Sequence, residues 1–226
     1  MSMPFYVPPE QLMNDRAEFA QKGIARGRPI VFVEYAAGVL LIGENPGSSL
    51  HKLSEIYDRV AFAGVGRFNE FESLRVAGVR YADLKGYSYG RGDVTAKGLA
   101  NAYSQTMGQI FTHEVKPYEV EVLVAEVGDG PVDTSIFRIR YDGNLATEHD
   151  FGAIGGDHDE LAGLLEAGYV EQSPLEDALR LATSSLEASY ERTITDADYE
   201  AAVLDRNLDR RIFRRVTEDE IGSARG

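Results

Sequence analysis

Two apolar runs of strand length stand back to back near the start of the chain. The first reads Ile30-Val31-Phe32-Val33-Glu34-Tyr35 and the second Val39-Leu40-Leu41-Ile42-Gly43-Glu44-Asn45, with Ala36-Ala37-Gly38 between them. Continuous apolar runs joined by a tight glycine-containing turn predict a β-hairpin buried on both faces. The segments from Leu50 to Tyr57 and from Val60 to Gly66 are expected to continue that sheet. Upstream, Pro9-Glu10 opens a predicted helix to about Gly23, with Leu12, Met13, Ala17, Ala20 and Ile24 recurring on one face. Proline fits the first helical turn because its missing N–H would be unpaired there. Residues 1–8, with Pro4, Pro8 and little charge, read as an extended arm.

Helical periodicity returns from Arg67 to about Leu84, through Phe68, Phe71, Leu74, Val79 and Ala82. A turn cluster spans 86–92. Asp93 is then a candidate N-cap for a helix carrying Leu99, Tyr103, Met107 and Ile110 and stopped by Pro117. Glu119-Val120-Glu121-Val122-Leu123-Val124 alternates, which predicts a strand wet on one face at its start. Ile136 to Tyr141 alternates too, Asp142-Gly143-Asn144 turns the chain, and Leu145 to Ile154 returns. Asp157 is a candidate cap for a helix with Leu161, Leu164 and Leu165. Ser173-Pro174-Leu175-Glu176 predicts a capping box with proline at the first helical position. Tyr199 to Leu204 and Arg211 to Val216 predict a closing hairpin across 207–210, and the polar tail to Gly226 is expected to fray.

Runs of strands separated by helix pairs are not the alternation of a parallel sheet; they predict an α+β fold. Strands apolar on both faces need cover on both, so the economical arrangement is two sheets face to face with a helix pair outside each. No linker or repeat divides residues 9–226, which are expected to form one domain behind the arm.

Composition narrows the function. The absence of cysteine excludes a disulfide scaffold, a cysteine nucleophile and a thiolate metal site. No apolar run approaches the roughly 20 residues of a membrane helix, and the N-terminus lacks a basic region followed by an apolar core. A soluble cytoplasmic protein without membrane contact is the expectation. The net charge of -14 repels phosphate backbones, so nucleic acid is not an expected partner.

Candidate chemistry is sparse. Gly64-Val65-Gly66 precedes a helix as a phosphate loop would, but Asn69 stands where a dinucleotide fingerprint needs its third glycine and no P-loop lysine follows. Arg91-Gly92-Asp93 reads as a loop and a helix cap. His149, Asp150, Asp157, His158 and Asp159 cluster in sequence without metal-ligand spacing, and His51 and His113 are isolated, so no metal or cofactor is expected. No serine lies in a Gly-x-Ser-x-Gly elbow. Glu119 and Glu121 share a strand face and read as its wet side. Arg26 and Arg28 flank Gly27 just before the first strand, with Lys52 near the third; such cations can receive a peptide carboxylate or simply be solvated.

Taken in order, certain pieces resemble a known family. They are Pro9-Glu10 with Glu18-Phe19-Ala20, then Gly38-Val39-Leu40-Leu41-Ile42, and Lys52 followed by Asp58 and Val60-Ala61. Lys116-Pro117-Tyr118, Tyr141-Asp142-Gly143 and Ala153-Ile154-Gly155-Gly156 complete the set. Over nearly its whole length the chain resembles the α subunits of actinobacterial proteasomes, on the non-catalytic branch of the N-terminal-nucleophile hydrolases. The resemblance implies a four-layer αββα sandwich with an extra N-terminal helix. A catalytic relative would expose a threonine where the first strand begins, its amino group acting as base. Here that stretch is Ala25-Arg26-Gly27-Arg28-Pro29, with no hydroxyl, and Glu44 stands where a supporting carboxylate is expected. No residue of this chain is therefore assigned a catalytic role.

The resemblance further implies a heptameric α ring capping β rings in an α7β7β7α7 particle that degrades unfolded proteins, in actinobacteria those tagged with a ubiquitin-like protein. Met1, Ser2, Met3, Pro4, Phe5, Tyr6, Val7 and Pro8 would form the gate on the ring axis, hinged at Pro9. Glu114, Val115 and Lys116 would line the entrance. Lys52, with Gly27 and Gly66, would form the pocket for the C-terminal carboxylate of a ring-shaped AAA ATPase or other activator. The alternatives are an independent amidohydrolase with an N-terminal nucleophile, which predicts self-cleavage, and a small-molecule binding protein, which predicts a monomer.

Overall fold

A computed structural model describes residues 8–47, 49–130, 133–209 and 211–226. Of the expected arm, residues 1–7 lie outside the described residues. The elements are α1 (Pro9–Ala25), β1 (Ile30–Tyr35), β2 (Gly38–Glu44), β3 (Leu53–Tyr57), β4 (Val60–Gly66), α2 (Phe68–Ser88), α3 (Ala96–His113), β5 (Val120–Val127), β6 (Thr134–Ile139), β7 (Leu145–Glu148), β8 (Phe151–Ile154), α4 (His158–Gly168), α5 (Leu175–Ser189), β9 (Tyr199–Asp205), β10 (Phe213–Arg215) and α6 (Glu218–Arg225).

Two five-stranded antiparallel sheets result, in the orders β10-β9-β2-β1-β8 and β3-β4-β5-β6-β7. Strand alternation sorts the side chains into three apolar layers. Ile30, Phe32, Val39 and Leu41 meet Ala61, Ala63, Leu123 and Ala125 between the sheets. Val31, Val33, Leu40 and Ile42 face Leu161 and Leu165 of α4 and Leu179, Ala182 and Leu186 of α5. Phe62, Val122 and Val124 face Leu74 of α2 and Leu99, Tyr103 and Met107 of α3. The expected α+β, four-layer αββα sandwich with its additional N-terminal helix is the fold found.

The structure corrects the expectations at five places. The hairpin β1–β2 pairs as expected, Ile30 with Gly43 through Tyr35 with Gly38. Its outer edges, however, are taken by β8 and β9, so β3 and β4 belong to the opposite sheet. The segment 145–154 is two strands, not one. At Asp150 the backbone turns left-handed, φ 62°, and the chain passes from β6 in one sheet to β1 in the other. The strand expected to be half wet is dry: β5 is sandwiched, and buried Glu121 accepts from the Gly155 amide at 2.8 Å. Three expected capping bonds are also absent: Asp157 stands at the N-cap of α4, but its side chain makes no capping bond. The Thr95 hydroxyl, not Asp93, accepts from Gly98 N–H in the first turn of α3, and α5 starts at Leu175 with no capping bond from Ser173 or Pro174.

The tail is ordered as α6. Thr217 and Glu220 form a reciprocal capping box, Ile221 and Ala224 are buried against the α4–α5 layer, and Arg180 Nε donates to the Ala224 carbonyl at 2.9 Å. Arg225 also pairs with Glu187 at 2.5 Å and with Asp196. Thr217→Ala should lower stability by about 1 kcal/mol, the usual worth of an N-cap. That loss is read as a lower Tm, and an unchanged Tm would mean that α6 contributes nothing to the fold.

Candidate functional site

The corner where α1 hands over to β1 collects most of the buried charge. α1 ends at Ala25, and the Gly27 amide closes its last turn onto the Ile24 carbonyl at 2.8 Å. Gly27 lies against Gly66, the last residue of β4. A Cβ on Gly27 would stand 2.9 Å from the Gly66 nitrogen and from Val65 Cγ1. Gly66 itself has φ +108°. The amides of this turn are spent on the sheet: Gly64 N–H donates to the Lys52 carbonyl at 3.1 Å and Arg67 N–H to the Glu119 carbonyl at 2.9 Å. The glycines are thus a close-packed joint and offer no cradle of free amides for a phosphate.

Lys52, immediately before β3, reaches into the same corner. Its Nζ donates to the Glu44 carbonyl at 3.1 Å and the Arg28 carbonyl at 3.4 Å. Burial pushes the ammonium down to about 8. Nearby Arg28 acts in the same direction, and the carboxylates of Glu200 and Glu44 oppose it. Glu44, at the end of β2, is itself buried. It accepts from Arg192 Nη2 at 2.8 and 2.6 Å and has Arg28 Nη1 at 3.3 Å. The Arg192 guanidinium lies over the Tyr190 ring, 5.1 Å from its centroid. Among the described residues, Arg28, Lys52, Arg192 and Arg215 therefore share Glu44 and Glu200. A cluster with more cations than carboxylates suits an incoming carboxylate better than a metal ion or a cationic ligand.

The structure brings Gly27, Gly66 and Lys52 to one corner, the last through the carbonyl of Arg28, the neighbour of Gly27. Sequence reasoning missed Glu200, Arg192 and Arg215. For Glu200 a signal existed: a carboxylate directly ahead of the apolar run Ala201–Leu204 must find partners when buried.

A second cluster surrounds 114–116. Lys116 Nζ pairs with Glu70 at 2.6 Å and Glu119 at 2.8 Å, and lies over the Phe19 ring. The Arg16 guanidinium donates to the Glu114 carbonyl. Val115 projects from this anchored turn, 99% exposed. At the other end of α1, Pro9 is the first helical residue, and the Pro8 carbonyl accepts from Leu12 N–H at 3.1 Å. Met1 to Val7 lie outside the described residues.

The remaining candidates are occupied or dispersed. Arg91 is bidentate to Asp58, at 2.7 and 2.8 Å. The Asp150 amide donates to Glu34 at 3.0 Å, whereas Asp157 to Asp159 lie at the start of α4. His113 Nδ1 lies 3.2 Å from the Gln109 carbonyl. Among the described residues no group of three or more potential ligands gathers as a metal site, and no helix is long and apolar enough to cross a membrane.

Comparison with known proteins gives a consistent result. The family model described as proteasome subunit matches residues 24–204. A protein named proteasome subunit alpha from Xylanimonas cellulosilytica is 56% identical, over 100% of this chain and 97% of its own length. One of the same name from Acidothermus cellulolyticus is 56% identical over 95% of this chain and 94% of its own. Another, from Kineococcus radiotolerans, is 56% identical over 96% and 95%.

Proposed function

The chain belongs to the proteasome subunit family, among the alpha subunits, and from that premise we propose that it is the non-catalytic, access-controlling ring subunit of a proteasome core. The observation that carries the reading is the loop between α1 and β1. It offers no serine, threonine or cysteine, a continuous helix precedes it, and the Glu44 carboxylate beside it is taken up by Arg192 and Arg28. Nothing there can attack a peptide bond, so the chain contributes shape and access.

In this reading seven copies form a ring that caps a β ring, in an α7β7β7α7 particle in the cytoplasm. Residues 1–8 close the axial channel and swing at Pro9, and 114–116 line the passage beneath. Support for the hinge comes from the abrupt start of a rigid helix at Pro9 behind an arm of low charge, since a segment of that kind switches between ordered and open states at small cost. The corner built by Lys52, Gly27 and Gly66 receives the C-terminal carboxylate of a ring-shaped ATPase, which feeds unfolded, tagged proteins through the gate.

The test is assembly with the β partner. Electron microscopy should show sevenfold rings, and deleting residues 2–8 should raise hydrolysis of a small fluorogenic peptide several-fold. An unchanged rate in an assembled particle would remove the gate from the reading. Intact-mass measurement should return the untrimmed chain; a new amino terminus before β1 would favour the amidohydrolase instead.

A further inference from the structure

We propose that Glu200 is the positioning residue of the docking corner, holding the chain at Lys52 and Leu53 so that the Lys52 side chain is delivered to Arg28 and Glu44. The inference rests on the reading of Lys52 as the receptor of a peptide carboxylate.

Glu200 belongs to β9, in one sheet, whereas Leu53 opens β3, in the other, with Lys52 just before it. Its side chain is almost wholly buried, and every partner is on the 45–53 segment or on β10. One carboxylate oxygen accepts from Lys52 N–H at 2.9 Å and Asn45 Nδ2 at 2.7 Å. The other accepts from Leu53 N–H at 3.2 Å and Arg215 Nη1 at 3.0 Å, with His51 Nδ1 at 3.3 Å. Arg215 closes the arrangement by donating from Nη2 to the Leu53 carbonyl at 3.1 Å. Asn45 also donates to the Leu50 carbonyl at 2.8 Å, so the turn before Lys52 is pinned at both ends.

A carboxylate is costly to bury unless its lone pairs are filled. Here the amides of the docking lysine and of Leu53 fill two of them, and Asn45 and Arg215 supply the other donors. An apolar residue at 200 would fill the space but leave two amides without acceptors. Glutamine would turn an N–H2 toward one of the donor pairs. Glu200 also supplies a negative charge that favours the Lys52 ammonium, against burial and the Arg28 guanidinium. The titratable and charged groups about Lys52 are Arg28 before β1, Glu44 on β2, His51 on its own segment, Arg192 after α5, Glu200 on β9 and Arg215 on β10. Removing Glu200 leaves Glu44 as the one carboxylate in that set.

The experiment uses assembled α/β particles and a synthetic peptide copying the last residues of a ring ATPase, as free acid and as C-terminal amide. Binding of both is measured against pH, and the Lys52 titration is followed by NMR of the labelled lysine. The native particle should prefer the acid below the Lys52 midpoint. Glu200→Gln should cut that preference about tenfold, a 1.4 kcal/mol effect, and move the Lys52 midpoint to lower pH. Glu200→Asp keeps the charge but draws the oxygens back by one methylene. It should hold the midpoint near the native value while losing part of the preference. A native acid preference and a native Lys52 midpoint in Glu200→Gln would overturn the proposal. Where that variant does not assemble, an undiminished preference in Glu200→Asp does so. If the preference vanishes in Lys52→Ala but survives in both Glu200 variants, only the role of Glu200 fails. If the native particle does not distinguish acid from amide, the docking reading itself fails.

Discussion

Lys52→Ala is expected to abolish activator-stimulated peptide hydrolysis by the assembled particle. A hydrogen bond to a charged group is worth about 1.5–3 kcal/mol, or roughly 10- to 150-fold in affinity for each tail. In the proposed assembly the tails of a ring activator would engage several pockets together, so the loss should compound through avidity. The same contact sets a pH dependence. Burial brings the Lys52 ammonium down to about 8, so docking is strong below that value and fades as pH rises through it. Stability runs the other way. Between about 8 and the ordinary lysine value of 10.5 the folded chain binds fewer protons than the unfolded one. Stability therefore rises with pH across that window, and below it the buried charge is a fixed cost. Stimulated hydrolysis and Tm, each followed against pH, check the two signs. Stimulation that persists in Lys52→Ala particles, or that ignores pH across the Lys52 midpoint, would take the ammonium out of the contact.

Gly66→Ala is expected to prevent folding altogether. At φ +108° an L side chain is strained, and the added Cβ would lie 2.0 Å from the Glu119 carbonyl oxygen. That oxygen cannot retreat freely, because it accepts from Arg67 N–H and sits one residue before the β4–β5 ladder, whose last pair is Gly66 with Val120. Strain of about 1–3 kcal/mol combined with a backbone clash consumes most of the 5–15 kcal/mol that keeps a domain folded. Gly27→Ala should cost less, about 1–3 kcal/mol, since its Cβ would meet Gly66 N and Val65 Cγ1 at 2.9 Å. Gly92→Ala, with nothing within 4 Å, is the near-neutral control. Soluble yield and Tm should rise from Gly66→Ala through Gly27→Ala to Gly92→Ala. A well-folded Gly66→Ala chain would show that the β4–α2 joint yields more than its packing implies.

The two glycines beside Lys52 thus have a structural explanation sufficient in itself. Each lets two backbones approach at the α1–β1–β4 corner. If the corner is a docking pocket, as proposed, they serve it indirectly, through the placement of the Arg28 carbonyl that Lys52 grips.

The sequence by itself determined most of the strands and helices as far as α5 and β9, because periodicity of two or of about 3.6 reports directly which side chains must leave water. It also determined that two-sided apolar strands need covering layers, and that no hydroxyl lies in the stretch Ala25-Arg26-Gly27-Arg28-Pro29 that leads into the first strand. Only the tertiary structure decided which strands share a sheet. Local pattern is identical for β3 whether it joins β2 or β4, and the choice is made by chain closure far away, where β8 and β9 occupy the edges of the hairpin. The same holds for the split at Asp150, for the capped helix at the end of the chain, and for the carboxylate of Glu200 on the amides of Lys52 and Leu53. A buried charge announces in sequence that it needs partners, but which partners is a matter of three-dimensional proximity that no spacing along the chain encodes.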